Sequence, residues 1–166
     1  MNMLQPKMSE AFDKSKVILT LDLGTTTGWA LFDNTGSIVS GNISFKSSRF
    51  EGGGMVYVRF KNWLKELKQI YGNIDEVYFE EVRRHLGVDA AHKYGGFLSH
   101  LTAWCEINKI PYQGVSVGTI KKHITGKGNA SKEEVINAVK DKGYNPTDDN
   151  EADRIALLDF VIKNFY

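Results

Sequence analysis

The segment VILTLDLGTTTGWALFDNTGSIVSGNISF, Val17 to Phe45, constrains the fold of this chain more than any other. Val17–Leu23 is an apolar run with little polar interruption, the pattern of a buried strand. Thr27–Phe32 and Ser37–Phe45 read as two further strands joined at the turn Asp33-Asn34-Thr35-Gly36. Three strands in succession make an antiparallel meander. A lone carboxylate, Asp22, sits in the first strand, just ahead of the turn-forming run from Gly24 to Gly28. A carboxylate in an apolar strand costs free energy unless it has a partner. From these residues alone that partner is a phosphate-bearing nucleotide, a metal ion, or nothing beyond a hairpin.

After the meander, strands alternate with helices. Gly52-Gly53-Gly54 marks a loop. A helix is predicted over Met55–Tyr71, with Val58, Trp63, Leu64, Leu67 and Ile70 as its core-facing stripe. Ile74–Phe79 is a short strand that delivers Glu80 and Glu81 at its end. Asp89–Lys109 is a long helix whose Gly95, Gly96 and Ser99 leave room for another backbone. Tyr112–Val115 is a strand and Thr119–Ile124 a short helix. Ser131-Lys132-Glu133-Glu134 is a capping box that opens a helix ending at Gly143. The last helix follows YNPTDDNE and runs to about Asn164. The order βββαβαβααα predicts an α/β fold with a mixed sheet flanked by helices.

Composition narrows the function. A chain of 166 residues, 42% of them hydrophobic, fills one core, so residues 1–16 are expected to be a flexible tail and residues 17–166 one domain. The formal net charge is only +1, so any surface for a polyanion must be local. The single cysteine, Cys105, excludes an intramolecular disulfide and fits a reducing cytoplasm. No apolar run reaches the roughly 18 residues needed to span a bilayer, and the N-terminal segment lacks the apolar stretch of a secretory signal. The expectation is a cytoplasmic, soluble domain. His85, His92, His100 and His123 are irregularly spaced and make no zinc pattern.

Three acidic places remain: Asp22, Glu80 or Glu81, and Asp149 to Asp153. Asp149 and Asp153 are four apart and Asn150 and Asp153 three apart, so either pair shares one helix face. Glu151 is turned about 200° from Asp149 and points elsewhere. If the two strands are neighbours and the last helix crosses their ends, the oxygens converge. Clustered carboxylates repel unless protonated or neutralised by a cation. Oxygen ligands of this kind suit Mg²⁺ or Mn²⁺, and a pair of ions can clamp the attacking and leaving oxygens of phosphodiester hydrolysis. Taken alone, Asp149 reads as a helix N-cap. Strand alternation sets Glu80 and Glu81 on opposite faces without saying which face holds the site.

Between Ser116 and Lys132 there are four lysines, Lys121, Lys122, Lys127 and Lys132, together with His123 and no acid. With Arg83 and Arg84 just beyond Glu80, they form a candidate phosphate-binding surface. Read by itself, the basic segment is a solvated helix face; beside an acid cluster it favours DNA.

With these residues assembled, the chain resembles the RuvC family of Holliday-junction resolvases, particularly its short phage-type members, from about Val17 to Phe165. LDLGTTTGWAL is similar to the family's first-acid strand and turn, VYFEEV to its second-acid strand, and YGGFLSHLTAWCEINKIPY to its long helix and following strand. IKKHITGKGNASKEEV resembles the basic segment, with Lys121 and Lys132 at the family's lysines, and NEADRIALL the closing helix. The resemblance implies an RNase H-like fold with a five-stranded sheet and a nuclease domain over 17–166. It makes Asp22, Glu80 and Asp153 metal ligands, with Asn150 or Asp149 as the fourth. It also implies two Mg²⁺ ions, replaceable by Mn²⁺, a homodimer, and paired symmetrical nicking of four-way DNA junctions. Gly95, Gly96, Phe97 and Leu101 of the long helix are a candidate contact surface for that dimer. Two positions depart from the family. Asn150 stands where an Asp or His is usual, and Arg83 where some members carry a base-stacking aromatic. DLGTT also resembles the phosphate-binding turn of sugar kinases and actin-like ATPases, but those close two such domains over a nucleotide in far longer chains. Two rival readings stay open beside these: a pre-ribosomal RNA nuclease-like relative of the same fold, and a catalytically silent DNA-binding module.

Overall fold

The computed structural model describes residues 2–4, 16–84 and 87–165. Six strands, β1 (Asn2–Leu4), β2 (Ile18–Asp22), β3 (Thr26–Phe32), β4 (Ile38–Ser44), β5 (Glu76–Glu81) and β6 (Tyr112–Ser116), form one sheet in the order β1-β4-β3-β2-β5-β6. The helices are α1 (Met55–Tyr71), α2 (Val88–Ile107), α3 (Val117–Thr125), α4 (Lys132–Asp141) and α5 (Asp149–Phe165). The mixed sheet has the expected antiparallel meander β2-β3-β4, joined through β2 to parallel β5 and β6. β1 is an addition: Asn2–Leu4 pairs antiparallel with Ile38–Ser40 at the free edge of β4. The remainder of the expected tail, residues 1 and 5–15, lies outside the described residues, as does His85.

Local chemistry explains the connections. The β3–β4 turn forms around the Asp33 carboxylate, which accepts from Thr35 N at 2.8 Å and Ser37 N at 3.0 Å, with Gly36 at φ 84°. The bounds of α3 and α4 follow from their caps. Ser116 accepts from Thr119 N, Gly126 closes α3 in the left-handed region, and Ser131 and Glu134 complete a capping box on α4.

Alternation along the strands feeds two cores. Leu19, Leu21, Leu31, Val77 and Phe79 pack against Phe60, Trp63, Leu64, Phe97, Leu101 and Trp104 of α1 and α2. Ile18, Ala30, Phe32 and Tyr78 pack against Ile120, Val135, Ile155 and Leu158 of α3, α4 and α5. On α1 the buried stripe is Phe60, Trp63, Leu64 and Leu67. Val58 and Ile70, expected in that stripe, are exposed. Val58 lies about 200° around the helix from Phe60, and Ile70 lies in the final turn. In α2, Phe97 and Leu101 are fully buried in the chain's own core, so they are not free to meet a second copy. Gly96 accommodates α1: a Cβ there would come within 2.7 Å of the Tyr57 ring.

Candidate active site

β2 and β5 run parallel as neighbours, with Leu21 opposite Phe79. Asp22 and Glu80, each the next residue along, therefore lie side by side at the C-terminal edge of the sheet, about 4.8 Å apart in strand spacing. Face is decided by parity. Phe79 and Leu21 point into the α1–α2 core, so Asp22 and Glu80 point to the opposite layer, where Tyr78 and Ile18 meet α5. Glu81 falls on the other face and pairs with Arg83 at 3.7 Å.

Two tethers fix this edge. Thr27 Oγ1 donates to Gly24 O at 2.7 Å, closing the turn after Asp22. Tyr94 of α2 donates its hydroxyl to Glu80 O at 3.0 Å and accepts from Val82 N at 3.2 Å, which holds the end of β5.

α5 crosses these strand ends and brings Asp153. Its first turn is pinned by Asp148, which accepts from Glu151 N at 2.7 Å. The capping residue is thus Asp148 rather than Asp149, which instead pairs with Lys132 at 2.9 Å. Glu151 turns away from the acids, as its helical angle requires. It is buried, accepting from Ser40 Oγ at 2.9 Å and Thr147 N at 2.8 Å, and it locks the start of α5 onto β4.

The three carboxylates sense one another. Burial, and then the charges of Asp22 and Asp153, push Glu80 up to about 7, against a smaller opposing pull from Lys121. Burial raises Asp153 too, with Lys121 lowering it and Asp22 raising it. Asp22 is raised by burial and held down by Arg154. A cleft of about 90 Å³ opens beside two of the three, lined by Glu80, Val117, Ile120, Lys121, Lys132 and Asp153. Among the described residues no three His, Cys, Asp or Glu side chains close on one point as a finished metal cage. The donor set nevertheless has the right chemistry: three half-buried carboxylates that oppose one another's ionisation and present only oxygen to a cation.

Among the other expected residues, Asn150 is exposed on the first turn of α5. Lys121 faces the acids, whereas Lys122, Arg83 and Arg84 are exposed. Lys127 is tied to Glu134 at 2.8 Å, and Lys132 to Asp149. Sequence reasoning misses Arg154, which is buried beside Asp22. Its signal is a cation inside the apolar run RIALLDFV.

No protein-family model and no curated protein matches the chain. Solved structures do match. Thermus thermophilus RuvC bound to a Holliday junction substrate aligns at 21% identity over 85% of this chain and 89% of that one, with a TM-score of 0.70. A second T. thermophilus RuvC structure aligns at 22% identity over 89% and 95%, with a TM-score of 0.67. The yeast mitochondrial Holliday junction resolvase Ydc2 aligns at 12% identity over 94% and 85%, with a TM-score of 0.55. Meander, parallel extension and flanking helix layers together give this chain the RNase H-like fold of the RuvC resolvases.

Proposed function

We propose that this chain is a divalent-metal-dependent endonuclease that resolves four-way DNA junctions by paired symmetrical nicks, leaving 5′-phosphate and 3′-hydroxyl ends. The observation that carries this reading is the placement of Asp22 and Glu80 side by side at the ends of β2 and β5, with Asp153 of α5 within electrostatic reach of both, at one edge of a RuvC-like sheet. Asp22, Glu80 and Asp153 would hold Mg²⁺ or Mn²⁺, with Asn150 or Asp149 completing the set. When bound, such ions supply an activated water and a counter-charge for the leaving 3′ oxygen.

The protein's own residues do the remainder. The Gly24–Thr27 clasp and the Tyr94 hydroxyl keep two acid-bearing strand ends in fixed register, so the acids are pre-positioned rather than gathered by substrate. Lys121, beside Glu80 and Asp153, meets the scissile phosphate from the α3 side. Lys122, Arg83 and Arg84 follow the adjoining backbone. Lys127 and Lys132 join them once phosphate displaces Glu134 and Asp149. Local positive charge is how a chain of net charge +1 holds a polyanion, and its affinity falls steeply with salt. Two opposed strands need two sites, which a homodimer supplies about a twofold axis. Among the described residues no helix is long and apolar enough to cross a membrane. The proposed place of action is the cytoplasm, where the lone Cys105 thiol stays reduced.

The test is a nicking assay on four-way, three-way and linear DNA with Mg²⁺, with ATP turnover measured in parallel. Asp22→Asn and Glu80→Gln should each abolish junction cleavage and leave junction binding intact. Cleavage by Asp22→Asn at the wild-type rate would sink the proposal. Binding without cleavage by the wild type would indicate a silent DNA-binding module, and ATP turnover a kinase-like relative.

A further inference from the structure

Resting on the junction-binding reading above, we propose that the β4–α1 loop, residues 45–54, is a stacking site for an unpaired nucleobase of the branched DNA. Phe50 is its platform and Arg49 the cation beside it. The first observation is placement. β4 lies two strands from β2, roughly 10 Å across the sheet. Its Asn42 pairs with Gly28, which in turn pairs with Asp22, and Ser44 is two residues further along. The loop therefore leaves β4 at the same edge of the sheet as the acids. Phe45 N donates to Thr25 O at 2.7 Å, which ties the base of the loop to the turn that follows Asp22. The sheet order sets β2 and β5, with Asp22 and Glu80, between this loop on β4 and α3 with Lys121 after β6.

The second observation is an exposed ring on a tied loop. Phe50 is 84% exposed and belongs to neither core. Slack chain does not explain it. Glu51 accepts from Ser48 N at 3.0 Å and from Arg59 of α1 at 2.5 Å, and Arg59 also donates to Lys46 O at 3.3 Å. The loop is thus braced on both sides of a large apolar side chain that it holds in water. The Arg49 guanidinium carbon lies over one face of the ring, 4.8 Å from its centre, and the other face is open. The third observation is room. Gly52, Gly53 and Gly54 follow, none of them at positive φ. A Cβ on any of the three would meet nothing within 4 Å among the described residues. Neither backbone conformation nor packing within the chain calls for three glycines here; bare backbone suits the close approach of a second molecule.

An exposed aromatic alone is ordinary surface. Ring, cation and bare backbone together, beside clustered acids, match the chemistry of an opened strand. A base at a branch point loses a stacking neighbour, whereas a base inside an arm keeps both. An aromatic face replaces the lost neighbour for any base, because every base has a π-face. Lys46 and Arg49 are exposed, and the acid of the loop, Glu51, is held by Arg59, so the two cations can take the phosphates that flank the stacked base. A strand held by Phe50 on one side and by Lys121 on the other lies across Asp22 and Glu80.

The experiment uses the full chain and four-way junctions carrying 5-iodo-deoxyuridine at the nucleotides that flank the branch point, in EDTA so that the DNA stays intact. Irradiation followed by mass spectrometry of the peptides should place the cross-link on Phe50. In the same buffer Phe50→Ala should bind the junction about tenfold more weakly, the loss of one base stack. Phe50→Trp should bind as the wild type does. Neither variant should change affinity for linear duplex, whose bases are already stacked, and neither should lower the melting temperature, since the ring is in water. Wild-type junction affinity in Phe50→Ala would overturn the proposal, as would an equal loss for junction and linear duplex, or cross-links that avoid Phe50. Junction binding without nicking in Mg²⁺ would sink the nuclease and leave the stacking site standing. A wild type that binds no junction would overturn both.

Discussion

Glu80 should make the metal-free protein less stable as pH rises. In the folded state its carboxyl is pushed up to about 7, from an ordinary 4.5, first by burial and then by Asp22 and Asp153. Below about 4.5 both folded and unfolded chains hold the proton, and the group costs nothing. Between about 4.5 and 7 the folded chain holds it and the unfolded chain does not, so stability falls as pH rises; above 7 the full penalty applies. A shift of this size corresponds to about 3 kcal/mol at ~1.4 kcal/mol per pH unit. For a chain of this length that is roughly 6–12 °C in melting temperature. Asp22 and Asp153, also raised by burial, act in the same direction. The assay is a set of thermal melts in EDTA from pH 4.5 to 8. Glu80→Gln should melt with the wild type at pH 4.5 and up to about 10 °C above it at pH 8, while being inactive in cleavage. Added Mg²⁺ should raise the wild type at pH 8 far more than the variant. Parallel pH profiles for the two proteins would mean that Glu80 is not held at a cost among other acids.

Three further outcomes are expected. Gly28→Ala places a methyl group against Arg154 and should cost about 1–3 kcal/mol as an overpacked contact, read as a lower denaturation midpoint; an unchanged midpoint would mean the arginine has room to move. Ser131→Ala removes the acceptor for Glu134 N at 3.1 Å and should cost about 1 kcal/mol, measured by chemical denaturation. Lys122→Ala should weaken junction binding at every sequence tested and reduce the slope of log affinity against log salt by about 1; an unaltered slope would leave Lys122 as ordinary surface.

Much of this architecture is legible in the residues because hydrophobic period reports it directly. The α1 bounds, Met55–Tyr71, coincide with expectation, and the capping box at Ser131 is visible as four letters. Val58 and Ile70 mislead because an apolar side chain on a helix need not face the core. Strand β1 is too short to announce itself, since three residues carry no period. At the site, Asp22 stands out because nothing else polar shares its strand end. The choice between Glu80 and Glu81 needs the register of β2 against β5, a long-range property that local pattern does not encode. The N-cap falls on Asp148 rather than its neighbour for the same reason: Thr147 and Glu151 set the start of α5 through Ser40, far away in sequence. Arg154 is readable as a charge amid apolar letters, but its meaning depends on the missing Cβ at Gly28 across the sheet.

Anomalous scattering from a crystal soaked in Mn²⁺ is the sharpest check on whether these acids form a metal site. A peak bounded by the carboxylate oxygens of Asp22, Glu80 and Asp153, and lost in Asp22→Asn, is expected. Strong Mn²⁺ peaks elsewhere, with those three side chains turned apart and no density between them, would show that the cluster does not bind metal.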